Sequence, residues 1–321
     1  MVPHPFAHVQ VAASRAVRAA AAGCALALLT MPLLSGCGVA SSGGAADGGD
    51  AAATSATSGQ PLGPTITIGV AADLPGLGYW HDGSYSGFDV DVARHVAKTL
   101  GYGSQQIVFV RVEPQDRAAV LQDGRADMVV AGYAMTDESA QAVTFAGPYL
   151  ETRPAVLVHD DDTSLDDLFA TGDDRMNDDR EDNTEHAADD ATVCAATGTA
   201  MHARVASRDD VTLSDYDTYG RCMTALMAGT VDAVAGDDAT LPGLARHRRE
   251  SYRIVADDRG DDALRYGIAV RHGYDELANK IAGALRAMID DGSWRRYVDA
   301  DLTPLGYRTS RDLSARDVTV H

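Results

Sequence analysis

Basic excess is missing from this sequence. It sets 27 lysines and arginines against 47 acidic side chains, a formal net charge of −20. Such a field repels phosphates instead of releasing their counterions, which excludes nucleic acid and anionic lipid surfaces as electrostatic partners. Cysteine is scarce: Cys24, Cys37, Cys194 and Cys222 are the whole supply, and without paired histidines they do not make a four-ligand zinc cage. The histidines are scattered without metal-ligand spacing, and no Ser-His-Asp or Cys-His constellation is present, so neither an enzyme nor a bound metal or cofactor is expected. Long apolar runs are also missing, apart from one near the N-terminus.

That run belongs to a secretion signal. Arg15 and Arg18 form a positive n-region with no acidic residue before Cys37, and residues 19–34 follow as an apolar h-region. The run is short, alanine-rich and broken by Pro32, unlike a membrane-spanning helix. It ends in Leu34-Ser35-Gly36-Cys37, which resembles the bacterial lipobox. The resemblance implies a signal peptide over 1–36 and a lipid on the Cys37 thiol, anchoring the protein to the outer face of the cell membrane. Residues 37–63 are almost entirely Ala, Gly, Ser, Thr and Asp, too poor in large apolar side chains to offset ordering entropy, and read as a flexible tether.

Export bears on the remaining thiols. With Cys24 lost and Cys37 lipidated, Cys194 and Cys222 are left, and in an oxidising compartment a disulfide contributing ~2 to 4 kcal/mol is the favoured reading over two buried free thiols. At 321 residues, nearly half of them hydrophobic, the chain has enough core for two globular units. Apolar patterning predicts strands over 65–71, 107–112 and 127–133 with helices over 88–100 and 115–123 between them. A second series follows: a strand over 192–196, a helix after Thr199, a helix over 219–228 and a strand over 231–235. Two successive α/β units of parallel-sheet character place a ligand site at strand C-termini or in the cleft between the units.

Gly87-Phe88-Asp89-Val90-Asp91-Val92-Ala93 is similar to the signature of the family 3 extracellular solute-binding proteins, which serve polar amino acid importers. Four further motifs, Leu121-Gln122-Asp123-Gly124-Arg125-Ala126-Asp127, Thr144-Phe145-Ala146-Gly147-Pro148-Tyr149, Val231-Asp232-Ala233-Val234 and Tyr266-Gly267-Ile268-Ala269-Val270, fall in the family's order and spacing. The Asp73-Leu74-Pro75-Gly76-Leu77-Gly78 run and the Cys194 and Cys222 pair look most like actinobacterial glutamate-binding members. The resemblance implies an α/β, two-lobed, periplasmic-binding-protein-like type II fold with two hinge-crossing strands. Lobe I would take residues 64–152 and 269–321, lobe II residues 153–268. The implied protein is a monomer that captures a small polar solute, glutamate-like, and presents it to an ABC transporter permease. The same fold resembles the periplasmic cyclohexadienyl dehydratases and ligand-sensing domains, which remain the alternatives.

The resemblance also implies where the solute would sit. Asp237 occupies the family position whose carboxylate receives a ligand ammonium; capping of the next helix is the competing role. Thr197, Gly198 and Thr199 offer free N–H groups and a hydroxyl to a carboxylate, or equally a tight turn and helix cap. Ala134 and Thr136 follow the third strand, where the family binds the ligand carboxylate. Asp73 belongs to the same set, and Tyr79 or Trp80 would form an apolar wall unless they simply pack.

One position departs from the pattern. The family reads Thr, two residues, then an Arg that pairs bidentately with the ligand α-carboxylate; this chain reads Thr136-Asp137-Glu138-Ser139, with no Arg between Arg125 and Arg153. Serine supplies neither the charge nor the planar fork, so altered specificity is expected at Ser139: either another base such as Arg117 or Arg153 takes over, or the ligand lacks a free carboxylate there, or binding is weakened. Residues 160–190 are crowded with Asp and Glu. They predict a solvated insertion in lobe II, about 170–190, and they lack the glycine and final Glu spacing of an EF-hand.

Overall fold

The computed structural model describes residues 63–163, 165, 191–257, 263–309 and 311–321. The signal segment, Cys37, the tether to residue 62 and the acidic insertion lie outside the described residues.

The chain opens with β1 (Ile66–Val70), whose Ile66, Ile68 and Val70 are wholly buried. Where a βαβ unit was expected to continue directly, a small antiparallel sheet intervenes: β2 (Asp73–Leu74), β3 (Gly78–His81) and β4 (Ser84–Ser86). Helix α1 (Phe88–Thr99) follows, burying Phe88, Val92, Ala93 and Val96 on one face and carrying Asp89 and Asp91 in its first turn, where the helix dipole favours anions. Then come β5 (Ile107–Arg111), α2 (Arg117–Gln122), β6 (Met128–Val129), α3 (Asp137–Ala142) and β7 (Val143–Thr152). The strand predicted over 127–133 is only two residues long, because after Val130, whose N–H still bonds Gly69 O at 2.8 Å, the chain leaves the ladder to shape the cleft.

After β7 the chain crosses at Arg153 into β8 (Pro154–His159), the first strand of a second sheet. That sheet gains β9 (Thr192–Ala196), α4 (Ala200–Ala206), β10 (Thr212–Tyr216), α5 (Tyr219–Met227), β11 (Ala233–Asp237), α6 (Leu241–Ala245) and β12 (Tyr252–Ala256). β11 runs two residues further than the pattern predicts, carrying Asp237 into the sheet. β13 (Leu264–Arg271) lies wholly in the first sheet, so the return crossing falls earlier than residue 269. α7 (Asp275–Asp290), α8 (Ser293–Tyr297) and the edge strand β14 (Thr319–Val320) complete the chain.

The first sheet has the order β14-β7-β13-β6-β1-β5 and the second β10-β9-β11-β8-β12. In the first sheet β1 is parallel to β5 and β6, and in the second β9 is parallel to β10 and β11, while β13 and β8 are antiparallel to their neighbours. The second sheet is buried on both faces: Val156, Val158, Val193 and Ala195 pack on one side, Leu157, Cys194 and Val234 on the other. That explains why its inner strands β8, β9 and β11 read as nearly unbroken apolar runs, unlike the partly exposed edge strand β10. Cys194 of β9 and Cys222 of α5 are both buried and joined by a disulfide, as the compartment argument favoured. Among the described residues no helix is long and apolar enough to cross a membrane. The two sheets joined at Arg153 and ahead of Leu264 are the two-lobed arrangement expected from the resemblance.

Candidate functional site

The parallel strands of both sheets end facing one another, and loops leaving their C-termini meet there. Ala71 and Asp73 follow β1, Ala131, Gly132 and Ala134 follow β6, Thr199 follows β9, and Asp237 ends β11; all line one cleft with Arg117, Tyr219, Thr240 and Tyr266. Its interior is about 20 Å³, room for about one water. An amino-acid-sized solute reaches these groups only if the halves part. Beside it, and sharing Pro114, Arg117, Ala134, Thr199 and Ala200, lies a groove of about 540 Å³ that also touches Thr136, Ser139, Gly198 and His202.

Arg117 stands at the junction of the two spaces. It is 3% exposed, and its guanidinium donates to backbone carbonyls of both halves: Nε to Pro114 (2.9 Å), Nη1 to Ala131 (3.1 Å) and Gly132 (2.9 Å), and Nη2 across the cleft to Gly198 (2.8 Å). The guanidinium also lies 4.3 Å from the ring centroid of Tyr133. Burial pulls its pKa below the ordinary arginine range, yet a guanidinium keeps its proton in any such setting. Among the described residues no carboxylate lies within ion-pair distance of it. Gly198 makes the crossing contact possible: its φ is +79°, and a Cβ there would stand 2.6 Å from the Gln115 Cα.

Two acids, Asp237 and Asp73, line the same cleft. Asp237 is 2% exposed, and both of its oxygens are engaged by the protein. Oδ1 accepts from the Ala239 (3.0 Å) and Thr240 (2.9 Å) N–H groups, and Oδ2 accepts from the Thr240 hydroxyl (3.0 Å) and from Tyr266. Burial pushes its pKa up to about 6 against those hydrogen bonds. The capping role thus has its geometry, and an arriving ammonium would share these oxygens with Tyr266. Asp73 is less committed: its Oδ2 meets only the Gly220 N–H, at 3.5 Å, and burial raises its pKa. Asp238 is bound to Arg153, by the backbone N–H (2.9 Å) and Nε (2.8 Å), so Arg153 is paired away from the cleft.

Ser139 does not stand in for the missing guanidinium. Thr136 is the N-cap of α3 and accepts from the Ser139 N–H at 3.1 Å, while the Ser139 hydroxyl accepts from the Thr136 N–H at 2.9 Å and donates to the Ala134 carbonyl at 2.8 Å. The polar groups of Thr136 and Ser139 are closed on each other in a reciprocal cap. Thr199 likewise caps α4, accepting from the His202 N–H at 3.1 Å, and the Thr197 hydroxyl donates to Tyr216 O at 3.1 Å.

Tyr79 and Trp80 are not among the cleft-lining residues. They sit on β3 of the unforeseen small sheet, where Tyr79 lies under the Arg246 guanidinium at 4.7 Å and Trp80, 49% exposed, packs edge-on against Tyr85. The aromatics that do reach the cleft are Tyr219 and Tyr266. Tyr266 was within reach of sequence reasoning, since alternation along β13 puts it on the face opposite Gly267, but a β-bulge between Tyr266 and Ile268 breaks the simple count. No group of three or more His, Cys, Asp or Glu side chains is placed to hold a metal among the described residues.

Residues 66–300 match the model of the bacterial extracellular solute-binding proteins, family 3. The glutamate-binding protein GluB of Corynebacterium efficiens is 31% identical over 268 residues, 81% of this chain and 84% of that protein. The ABC transporter glutamine-binding protein GlnH of Bacillus subtilis is 27% identical, over 71% of this chain and 78% of its own length. Among solved structures, the solute receptor for L-cysteine of Neisseria gonorrhoeae superposes with a TM-score of 0.64 at 27% identity, covering 75% of this chain and 91% of that one.

Proposed function

This chain belongs to the family 3 bacterial extracellular solute-binding proteins, and from that premise we propose that it captures an amino acid with an anionic side chain, glutamate-like, for an ABC importer while tethered to the membrane through Cys37. Arg117 carries the reading. A buried guanidinium that touches both halves, lines one cleft with Asp73 and Asp237 and, among the described residues, has no carboxylate within ion-pair distance suits a solute bearing a carboxylate and an ammonium. The ligands for which the two relatives are named, glutamate and glutamine, agree with a polar amino acid.

Among the described residues, those from 64 to 152 and from 264 onward act as one lobe and those from 153 to 257 as the other, hinged at Arg153 and ahead of β13. Solute enters when the lobes part, and closure around it is favoured because only the closed form contacts it from both sides. The solute carboxylate takes the place of Gly198 O on Arg117, its ammonium is received by Asp73 together with Asp237, and Gly198 supplies an N–H group; contrary to the expectation from sequence, the Thr197 and Thr199 N–H groups are already held, by Tyr216 O at 2.8 Å and Ala196 O at 3.2 Å. Because the reciprocal cap holds Ser139, specificity rests on Arg117 and differs from that of members with an Arg at this place.

A thermal-shift screen of the twenty amino acids tests this. A ligand of the folded state raises the melting temperature with concentration; the largest shift is expected from L-glutamate or L-aspartate. A response confined to basic amino acids would refute the assignment of Arg117, and turnover of prephenate or arogenate would replace it with an enzyme.

A further inference from the structure

Asp89 opens α1 and is wholly buried, yet solute capture as described does not use it. The Tyr149 hydroxyl donates to its Oδ1 at 2.9 Å, whereas its Oδ2 is buried with no hydrogen-bond partner. A fully charged carboxylate is strongly disfavoured in that setting unless a compensating charge is near. The Gly132 peptide links the pair to one: its N–H donates to the Tyr149 hydroxyl at 3.2 Å, and its carbonyl accepts from Arg117 Nη1 at 2.9 Å. The titratable and charged groups that face Asp89 are Tyr149 on β7, Arg117 on α2 and Asp237 on β11. Burial, and more weakly Asp237, push its pKa up to about 7, while Tyr149, Gly132 and Arg117 act in the opposite direction.

We propose that capture is proton-linked through Asp89: when an anionic group of the solute meets Arg117, the guanidinium no longer compensates the Asp89 carboxylate, and Oδ2 takes up a proton from solvent. The inference rests on the reading that Arg117 receives that group. No bond other than the O–H forms, and the buffer supplies the proton. Asp89 is a positioning residue, acting on the solute through Tyr149, Gly132 and Arg117. Since uptake accompanies binding, affinity weakens as pH rises above about 7, at most about tenfold per pH unit, and levels off below it.

The test is calorimetric titration of L-glutamate at pH 7 in phosphate and in Tris, whose ionisation heats differ. The two heats should differ by the equivalent of up to about half a proton taken up per glutamate, and D89N should abolish the difference. If D89N fails to fold, Y149F serves: without its donor Asp89 is protonated before glutamate arrives, so the difference again vanishes. Equal heats in the unaltered protein overturn the proposal and leave capture at Arg117 standing. A difference that survives in D89N or Y149F but disappears in D237N does the same. Absence of both heat and thermal shift with L-glutamate, L-aspartate and L-glutamine overturns the capture reading and this proposal with it.

Discussion

Replacing Ser139 by Arg restores the guanidinium that the family pattern places there, and the structure gives both sides of the exchange. The substitution removes the hydroxyl that accepts from Thr136 N–H and donates to Ala134 O. Loss of one half of a reciprocal cap on a six-residue helix costs about 1 kcal/mol of stability, at most about 2. In return, Ser139 borders the same groove as Arg117, Gly198 and Thr199, so an arginine side chain there has space to reach a solute carboxylate. A charge-assisted pair contributes about 1.5 to 3 kcal/mol, which is roughly ten- to a hundredfold in Kd. S139A separates the two effects, since it loses the cap and gains no charge. Urea unfolding should place S139A and S139R equally below the parent, while calorimetry with α-amino acids should show tighter binding for S139R alone. Unchanged affinity in S139R would refute the placement of Ser139 at the carboxylate anchor.

Other perturbations address the framework. Cys194→Ala with Cys222→Ala opens a crosslink spanning 28 residues, worth about 3.6 kcal/mol by loop entropy; urea midpoints indistinguishable from the parent would contradict a stabilising bridge between β9 and α5. Asp89 and Asp237 have folded pKa values raised to about 7 and about 6, so the folded state binds more protons than the unfolded chain, and their stabilisation is complete in acid and lost as pH climbs through 6 and 7. Unfolding free energy should therefore fall from pH 5 to pH 8, by about 3 kcal/mol from Asp89 alone, and the fall should shrink in D89N; a rise over that window would reverse the sign of the argument. Arg117→Lys keeps the charge but not the fork that reaches Gly132 and Gly198 together, so glutamate affinity should drop at least about tenfold, and full retention would show that charge alone suffices.

Much of the fold was legible because its strands and helices bury whole faces. The runs at β1, β9 and α1 are apolar with the right period, and each lies within two residues of its predicted bounds. The small sheet β2-β3-β4 was not legible: its three strands are two to four residues long and half exposed, below any periodic signal. That one omission put Tyr79 and Trp80 in the wrong surroundings. Within the cleft, Asp237, Thr199 and Ala134 were reached through motif order, whereas the bridging role of Arg117 depends on Gly132 and Gly198, 15 and 81 residues away. Sequence shows an arginine three residues after a proline; only the closure of two sheets shows that its guanidinium spans them.

The most direct measurement is a crystal structure solved with saturating L-glutamate. The account predicts one glutamate between the two sheets, a carboxylate within hydrogen-bonding distance of Arg117 Nη2 in place of the Gly198 carbonyl, and its ammonium near Asp73. Glutamate bound elsewhere with the bond from Arg117 to Gly198 intact would contradict it.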